Sequence, residues 1–324
     1  MAEFLTFDTD LTAVANAIRA KGGTSAQLIY PSGFVSAIQA IQTGITPKLV
    51  VTTTPGAAIT ATPAEGFKVV KGTAGADGMC TLELPKAGTW HVTAMANSVS
   101  NSQNIVIGTQ NMLLPLYHDT FADNTWEEII AVCRTGIAPD SWAVGDSKTM
   151  NIGGTAYQVD IIGKNHDEYA DGSGTAPLTF QLHDCYSEAK QMYSTNLSGL
   201  GWKNTDMRLT YLPAILALMP AEVQNGIRAV NKKTSEGGNS TTIETVSDTL
   251  FLLSEVEIFG TASSSVAGEG SQYDYYKAGN PKIKKREGVD EFWWERSSAS
   301  GGMFCRVRAN GQAGASNASN SLGV

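Results

Sequence analysis

The side chains able to do chemistry are few and far apart. Histidine occurs at His91, His118, His166 and His183, and cysteine at Cys80, Cys133, Cys185 and Cys305. The cysteines form no CxxC pair and read as buried free thiols that behave as small hydrophobes. No HExxH, GxSxG or GxxxxGK[ST] occurs, and no GxGxxG follows a strand-like run. The densest set of ligand-type residues is NHDEYADGSG, Asn165 to Gly174, which groups His166, Asp167, Glu168 and Asp171 among glycines. A calcium loop needs oxygen ligands at alternate positions and a late bidentate carboxylate. Counted from Asp167, Asp171 and Gly172 fall correctly, but Tyr169 takes the third position and Leu178 the twelfth. The EF-hand pattern therefore fails. The segment reads as a structural loop whose carboxylates cap backbone amides, with another kind of cation site at His166, Asp167 and Asp171 as the alternative. Asp160, Glu255 and Glu257 lie in strand-like runs whose alternation puts them on a wet face. The basic run Lys282 to Glu287, KIKKRE, reads as a solvated loop. Nothing here supports an enzyme, and no cofactor is implied.

The totals point the same way. A chain of 324 residues is long for one core and suggests two or three domains. It is 42% hydrophobic and 17% charged, which supports packed cores over global disorder. Its net charge of -8 lacks the basic footprint of a nucleic-acid binder. No apolar run is long enough to insert in a membrane, and the opening MAEFLTFDTD has no basic and apolar regions of a signal peptide.

The elements that must position a site fall into three groups, and the expected class is α+β multidomain. Residues 1–45 read as short helices. In DLTAVANAIRAKGG, Asp10 caps a helix whose Leu11, Val14, Ala15 and Ile18 share a face, and Gly22-Gly23 stops it. A second stripe follows at Phe34, Ile38 and Ile41. Helices this short need a partner, so this is an attachment or oligomerisation segment. Residues 46–110 hold short β-rich runs broken by Gly, Pro and Asn, which suggests a small Ig-like β-sandwich spacer. His91 alternates with Trp90 and Val92 there, and so faces solvent. Residues 111–324 mix elements. Thr125 and Glu128 fit a capping box ahead of Trp126, Ile129, Ile130 and Cys133, with Gly136 and Pro139 stopping the helix. AYQVDIIGK, PLTFQLHD and TLFLLSEVEIFG read as strands. DMRLTYLPAILALMPAEVQNGIRAVNKK reads as two helices joined at Pro220. The region beyond Gly260 is loop-rich, yet Tyr273, Tyr275, Tyr276, Phe292, Trp293 and Trp294 argue that it packs.

The closing segment is the least ordinary. From Ser297 to Val324, 19 of 28 residues are Ser, Gly, Ala or Asn. Phe304, Cys305 and Val307 interrupt it as a strand would, and Asn310-Gly311 is a hairpin-type turn. The reading is a strand, a turn and a second run that covers an exposed face with small polar side chains.

Those residues also carry a resemblance. WAVGDSKTMNIGGTAYQVDIIGKNHDEYADGSGTAPLTFQL, together with FLLSEVEIFG, AGEGSQYDYYKAGN and FWWERS, resembles an uncharacterised domain of phages and prophages of Gram-positive gut bacteria. The likeness runs from about Trp126 to the C-terminus. LTAVANAIRAKGGTSAQLIYPSGFVSAIQAI resembles a short repeat at the start of phage tail and baseplate proteins. The resemblance implies a C-type-lectin-like fold for 111–324. It also implies a variable region at about 297–324 of the kind rewritten by diversity-generating retroelements, where adenines of a template copy are randomised. The positions matching the variable ones are Ala299, Gly301, Gly302, Arg306, Arg308, Asn310, Ala315, Ser316, Asn317, Ser319, Asn320 and Leu322; Trp293 and Trp294 are candidate aromatic anchors beside them, with core packing of at least one as the favoured alternative. Met303 and Gln312 cannot arise from adenine changes in an AAC codon and would be fixed. Such proteins usually continue past SLGV through a final strand, where this sequence ends. The expected function is a phage tail-tip receptor-binding protein, a homo-oligomer with a trimer favoured. It would be made in the host cytoplasm, act on the virion tail, and bind a bacterial surface protein or glycan and other tail proteins. The rivals are a bacterial adhesin of the same fold and an enzyme akin to formylglycine-generating enzymes. The latter would need a reactive cysteine pair, for which only Cys305 and the distant Cys185 are at hand.

Overall fold

The computed structural model describes residues 8–22, 47–64, 68–85, 87–107, 110–238 and 240–324. The chain forms two compact units, Met1–Tyr117 and His118–Val324.

The first unit starts with helix α1 (Asp8–Gly22). Ala15 and Ile18 are buried, but Val14 is 47% exposed, so the buried stripe is narrower than the sequence suggests. The second expected helix, with Phe34, Ile38 and Ile41, lies outside the described residues. Seven strands follow: β1 (Lys48–Thr52), β2 (Ala58–Pro63), β3 (Val70–Thr73), β4 (Met79–Glu83), β5 (Gly88–Ala96), β6 (Val99–Ile107) and β7 (Gln110–Leu113). They make a sheet of order β4-β1-β7 and another of order β3-β2-β5-β6. Leu49, Val51 and Leu82 from the first sheet share one buried cluster with Ile59, Ala61, Trp90, Val92 and Ala94 from the second. Period-two alternation produces this: each strand turns one set of side chains inward. His91 is on the outward set, with Nδ1 2.8 Å from the Asn104 amide oxygen.

The second unit is mixed α+β. Helix α2 (Trp126–Cys133) starts at the expected capping box, with Thr125 accepting from the Glu128 N–H and Glu128 accepting from the Thr125 N–H. Strands β8 (Ser147–Ile152), β9 (Thr155–Lys164) and β10 (Leu178–Leu182) form a sheet of order β10-β9-β8. Helices α3 (Leu212–Leu216) and α4 (Ala221–Gly226) flank Pro220 as expected. The helical reading fails beyond Gly226. There the chain forms β11 (Val230–Ser235), paired antiparallel with β12 (Ile243–Asp248). Val230, Lys232 and Thr234 all turn inward, a period of two rather than 3.6.

TLFLLSEVEIFG is also corrected. It holds no strand: residues 249–254 are irregular and lead into helix α5 (Glu255–Phe259). Ser254 and Glu257 form a second capping box, and Gly260 closes the helix at φ 77°. Helix α6 (Asp274–Lys277) buries Tyr275 and Tyr276. KIKKRE is not a solvated loop throughout. It contributes β13 (Lys284–Arg286), paired with β14 (Val289–Glu291), and Lys284 is buried. Desolvation lowers the Lys284 pKa to about 8. The last sheet has order β15-β16-β17, from β15 (Trp293–Ala299), β16 (Met303–Val307) and β17 (Ala313–Asn317).

Candidate binding face

The closing segment is an ordered hairpin. Strands β16 and β17 pair with Cys305 opposite Ala315 and Arg306 opposite Gly314. The Arg308 N–H donates to the Gln312 carbonyl, and the Gly311 N–H to the Arg308 carbonyl, each at 2.7 Å. Gly311 supplies the positive φ of 81° that the turn requires, and the Asn310 side chain accepts from the Gln312 N–H at 3.2 Å. Beyond β17 the backbone returns to the frame. The Trp294 N–H donates to the Gly323 carbonyl, the Tyr186 N–H to the Val324 carbonyl, and Leu322 and Lys190 exchange two bonds.

The hairpin separates a frame from a face. Phe304, Cys305 and Val307 are 0% exposed. Gly301, Arg308, Asn310, Asn317 and Asn320 are exposed, while Gly302, Arg306, Ala315, Ser316, Ser319 and Leu322 are half-buried. The two arginines differ. Arg306 Nε donates to the Ala315 carbonyl at 3.1 Å, and its guanidinium sits 4.1 Å from the Phe292 ring centre. Burial, and then the charge of Arg308, lower its pKa below the usual guanidinium value. Arg308 is exposed and makes no side-chain hydrogen bond or ion pair among the described residues. Ser319 is held by Asn196, whose side-chain oxygen accepts from its N–H at 3.3 Å.

Several expected positions are corrected. Ala299 is only 4% exposed; it lies on β15, and its carbonyl accepts from Ser198 Oγ at 3.0 Å. Gly302 is not free to vary. Its φ is 79°, and an added Cβ would sit 2.6 Å from the Asn196 carbonyl oxygen. Gly301, at φ 69°, meets open space instead, so a side chain there would be strained but not blocked. Trp293 and Trp294 are not exposed anchors. They are 3% and 0% exposed, and their indole N–H groups donate to the Lys282 and Lys190 carbonyls at 2.9 and 2.8 Å. Both lie on β15, where all seven residues are buried.

The cation reading of the 165–174 loop is corrected as well. His166 stacks on Tyr273 with ring centres 3.9 Å apart. Asp167 is buried, accepting from Lys232 Nζ at 2.7 Å and Tyr273 Oη at 2.8 Å. Asp171 pairs with Arg228 at 2.6 Å. The three side chains are already engaged, His166 and Asp167 by Tyr273, Asp167 also by Lys232, and Asp171 by Arg228. No group of His, Cys, Asp and Glu suited to a metal occurs among the described residues.

Beneath the sheet lies a buried charge network that the sequence reading missed. Glu255 and Glu257, expected on a wet face, are 0% and 2% exposed, and Asp160 is 3% exposed. Glu257 receives Arg296 Nη2 at 2.9 Å and Lys232 Nζ at 2.7 Å. Against the desolvation that would raise it, the Arg296 and Lys232 charges hold the Glu257 carboxyl down at about 2. Glu255 is cradled by the backbone N–H groups of Ser263, Ser264 and Ser265, at 3.0, 3.0 and 2.9 Å. Burial opposes its charge, but the Ser263 and Ser265 hydroxyls, and then the backbone N–H groups, bring its pKa below the ordinary value. Glu295 has no such help: it is 0% exposed, and neither carboxylate oxygen has a hydrogen-bond partner among the described residues. Desolvation, and then the charges of Glu255 and Glu269, push it well above the carboxylate range. The S-x-x-E of Ser254 and Glu257 was the available signal for part of this, since a capping box marks a helix start rather than a strand.

The four cysteines are free, and Cys305 Sγ lies 3.9 Å from Glu255 Oε2. Burial, and then the charges of Glu295 and Glu255, raise the Cys305 thiol far above its usual value. No helix among the described residues is long and apolar enough to cross a membrane.

A family model described as a domain of unknown function (DUF6273) matches residues 179–324. No curated protein and no solved structure matches the chain.

Proposed function

We propose that the chain is a phage tail-tip receptor-binding protein. Its second unit is a C-type-lectin-like domain that presents the closing hairpin as a ligand-binding face. The first unit supplies an Ig-like spacer, and the N-terminal segment attaches the protein to other tail proteins and gathers three copies. It acts on the virion tail, against a bacterial surface protein or glycan, by non-covalent adhesion.

One observation carries the reading. An unpaired Arg308 and the exposed amides Asn310, Asn317 and Asn320 stand on a hairpin whose other side buries Phe304, Cys305 and Val307 completely. A surface meant to be rewritten must not contribute to folding, and exposed substitutions typically shift stability by only about 0.5 kcal/mol. Separating scaffold from contact residues is the arrangement antibody loops use. A guanidinium beside side-chain amides suits anionic and polar groups. Such a patch binds weakly alone, and several copies on one particle raise the effective strength. The raised Cys305 thiol supports a role without covalent chemistry.

The test is adhesion of labelled protein to host cells. Replacing Arg308, Asn317 and Asn320 together should abolish cell binding while leaving thermal unfolding nearly unchanged. Binding that survives the replacement overturns the assignment of the face. Two further observations bear on the wider reading. Neighbouring DNA should hold a near-identical template repeat differing only at adenines beside a reverse transcriptase gene, and the solution mass should be that of a trimer.

A further inference from the structure

The second unit contains a cavity of about 280 Å³, close to the lower end of small-molecule pockets, roughly 300–1,000 Å³. Its walls include Ile130 of α2, Phe180 of β10, Ile215 of α3 and Phe251. Protein interiors pack to the density of organic crystals, and an unfilled apolar void destabilises in proportion to its volume. Water relieves little of that cost, because a mostly apolar wall offers it few hydrogen-bond partners. A void of this size and lining therefore favours an apolar occupant.

The charged groups on its lining indicate what else that occupant carries. They are Arg134, Asp184, Arg228 and Lys284, three cations to one anion in a chain of net charge -8. Lys284 is buried and donates to the His183 carbonyl at 2.8 Å. Arg228 is exposed but engaged, with Nη2 2.6 Å from Asp171 and its guanidinium 3.7 Å from the Tyr169 ring centre. Arg134 immediately follows α2, is exposed, and has no side-chain hydrogen bond or ion pair among the described residues. The cavity thus joins an apolar interior to a free guanidinium in contact with solvent.

We propose that this cavity binds a single-chain anionic amphiphile, its tail among Ile130, Phe180, Ile215 and Phe251 and its charged group at Arg134. The site stands independently of the adhesive face.

Dodecanoate, kept below its micelle-forming concentration, is the probe, titrated into the full chain by calorimetry and by thermal shift. It should bind saturably and raise the unfolding temperature. Dodecanol, with the same tail and no charge, should bind at least tenfold more weakly. Arg134→Glu should weaken dodecanoate at least tenfold while lowering the unliganded unfolding temperature only slightly, because the side chain is exposed and unpaired and only its position at the C-terminal end of α2 favours a cation. Ile215→Trp should fill the cavity and abolish binding of both probes. Absence of saturable binding overturns the proposal, as does binding insensitive to Ile215→Trp. Equal affinity for dodecanoate and dodecanol, or no effect of Arg134→Glu, overturns the anionic head assignment.

Discussion

Simultaneous replacement of Arg308, Asn317 and Asn320 by Ala should leave the second unit nearly as stable as before, whereas the single change Phe304→Ala should cripple it. All three face residues are exposed. Their hydrogen bonds run through the backbone: Arg308 N–H to Gln312, and Asn320 N–H to the Asn317 carbonyl at 2.9 Å. These survive any side-chain change. Each substitution should therefore stay within about 0.5 kcal/mol, or about 1.5 kcal/mol for the set as an upper bound if they add. Phe304 is 0% exposed and packs beside Tyr193, with ring centres 6.1 Å apart. Truncating a buried Phe costs about 3–5 kcal/mol, from lost transfer energy and the cavity left behind. For a unit of this size each kcal/mol moves the midpoint by about 2–4 °C. The triple variant should fall by no more than about 6 °C, and Phe304→Ala by about 6–20 °C. Tryptophan fluorescence during heating is a suitable readout, because five of the six tryptophans lie in residues 118–324 and only Trp90 lies in the first unit. If the triple variant unfolds as early as Phe304→Ala, the face helps hold the fold, and the separation of grip from frame is wrong.

Gly302→Ala should destabilise despite adding one methyl group, by at least about 1 kcal/mol, since φ is positive and the Asn196 carbonyl blocks the Cβ; chemical denaturation checks it, with Gly301→Ala as the unblocked comparison. Arg296→Met should cost about 3–5 kcal/mol, because it leaves the buried Glu257 with only Lys232 as a counter-charge; the same denaturation midpoint reads it. The pH dependence has two signs. Glu257 is held at about 2, so its contribution is present above the ordinary carboxylate value and is lost as pH falls toward 2. Glu295 is raised, so stability falls as pH rises above the ordinary carboxylate range toward its elevated value. Glu295→Gln should flatten that alkaline-side decline while leaving the acid limb intact, as measured by unfolding midpoints across pH; an unchanged alkaline slope would show that Glu295 does not titrate with folding.

What the sequence determined by itself was local. The Thr125–Glu128 capping box, the alternation around Trp90, the strands of AYQVDIIGK and PLTFQLHD, and the Asn310-Gly311 hairpin all follow from neighbours a few residues apart. The outward placement of Arg308, Asn317 and Asn320 belongs with them, since charged and amide side chains around a turn are rarely buried. Tertiary structure decided the rest, because burial depends on which distant segment arrives above a residue. Glu257 reads as a solvated carboxylate until Arg296 and Lys232, from β15 and β11, close on it. The tryptophans of β15 read as either anchors or core until the backbone near Gly323 returns to cover their strand. Gly302 reads as variable until Asn196, more than a hundred residues earlier, occupies the space a side chain would need. A charge, an indole and a missing Cβ each have an energy set by surroundings, and spacing along the chain does not encode those surroundings.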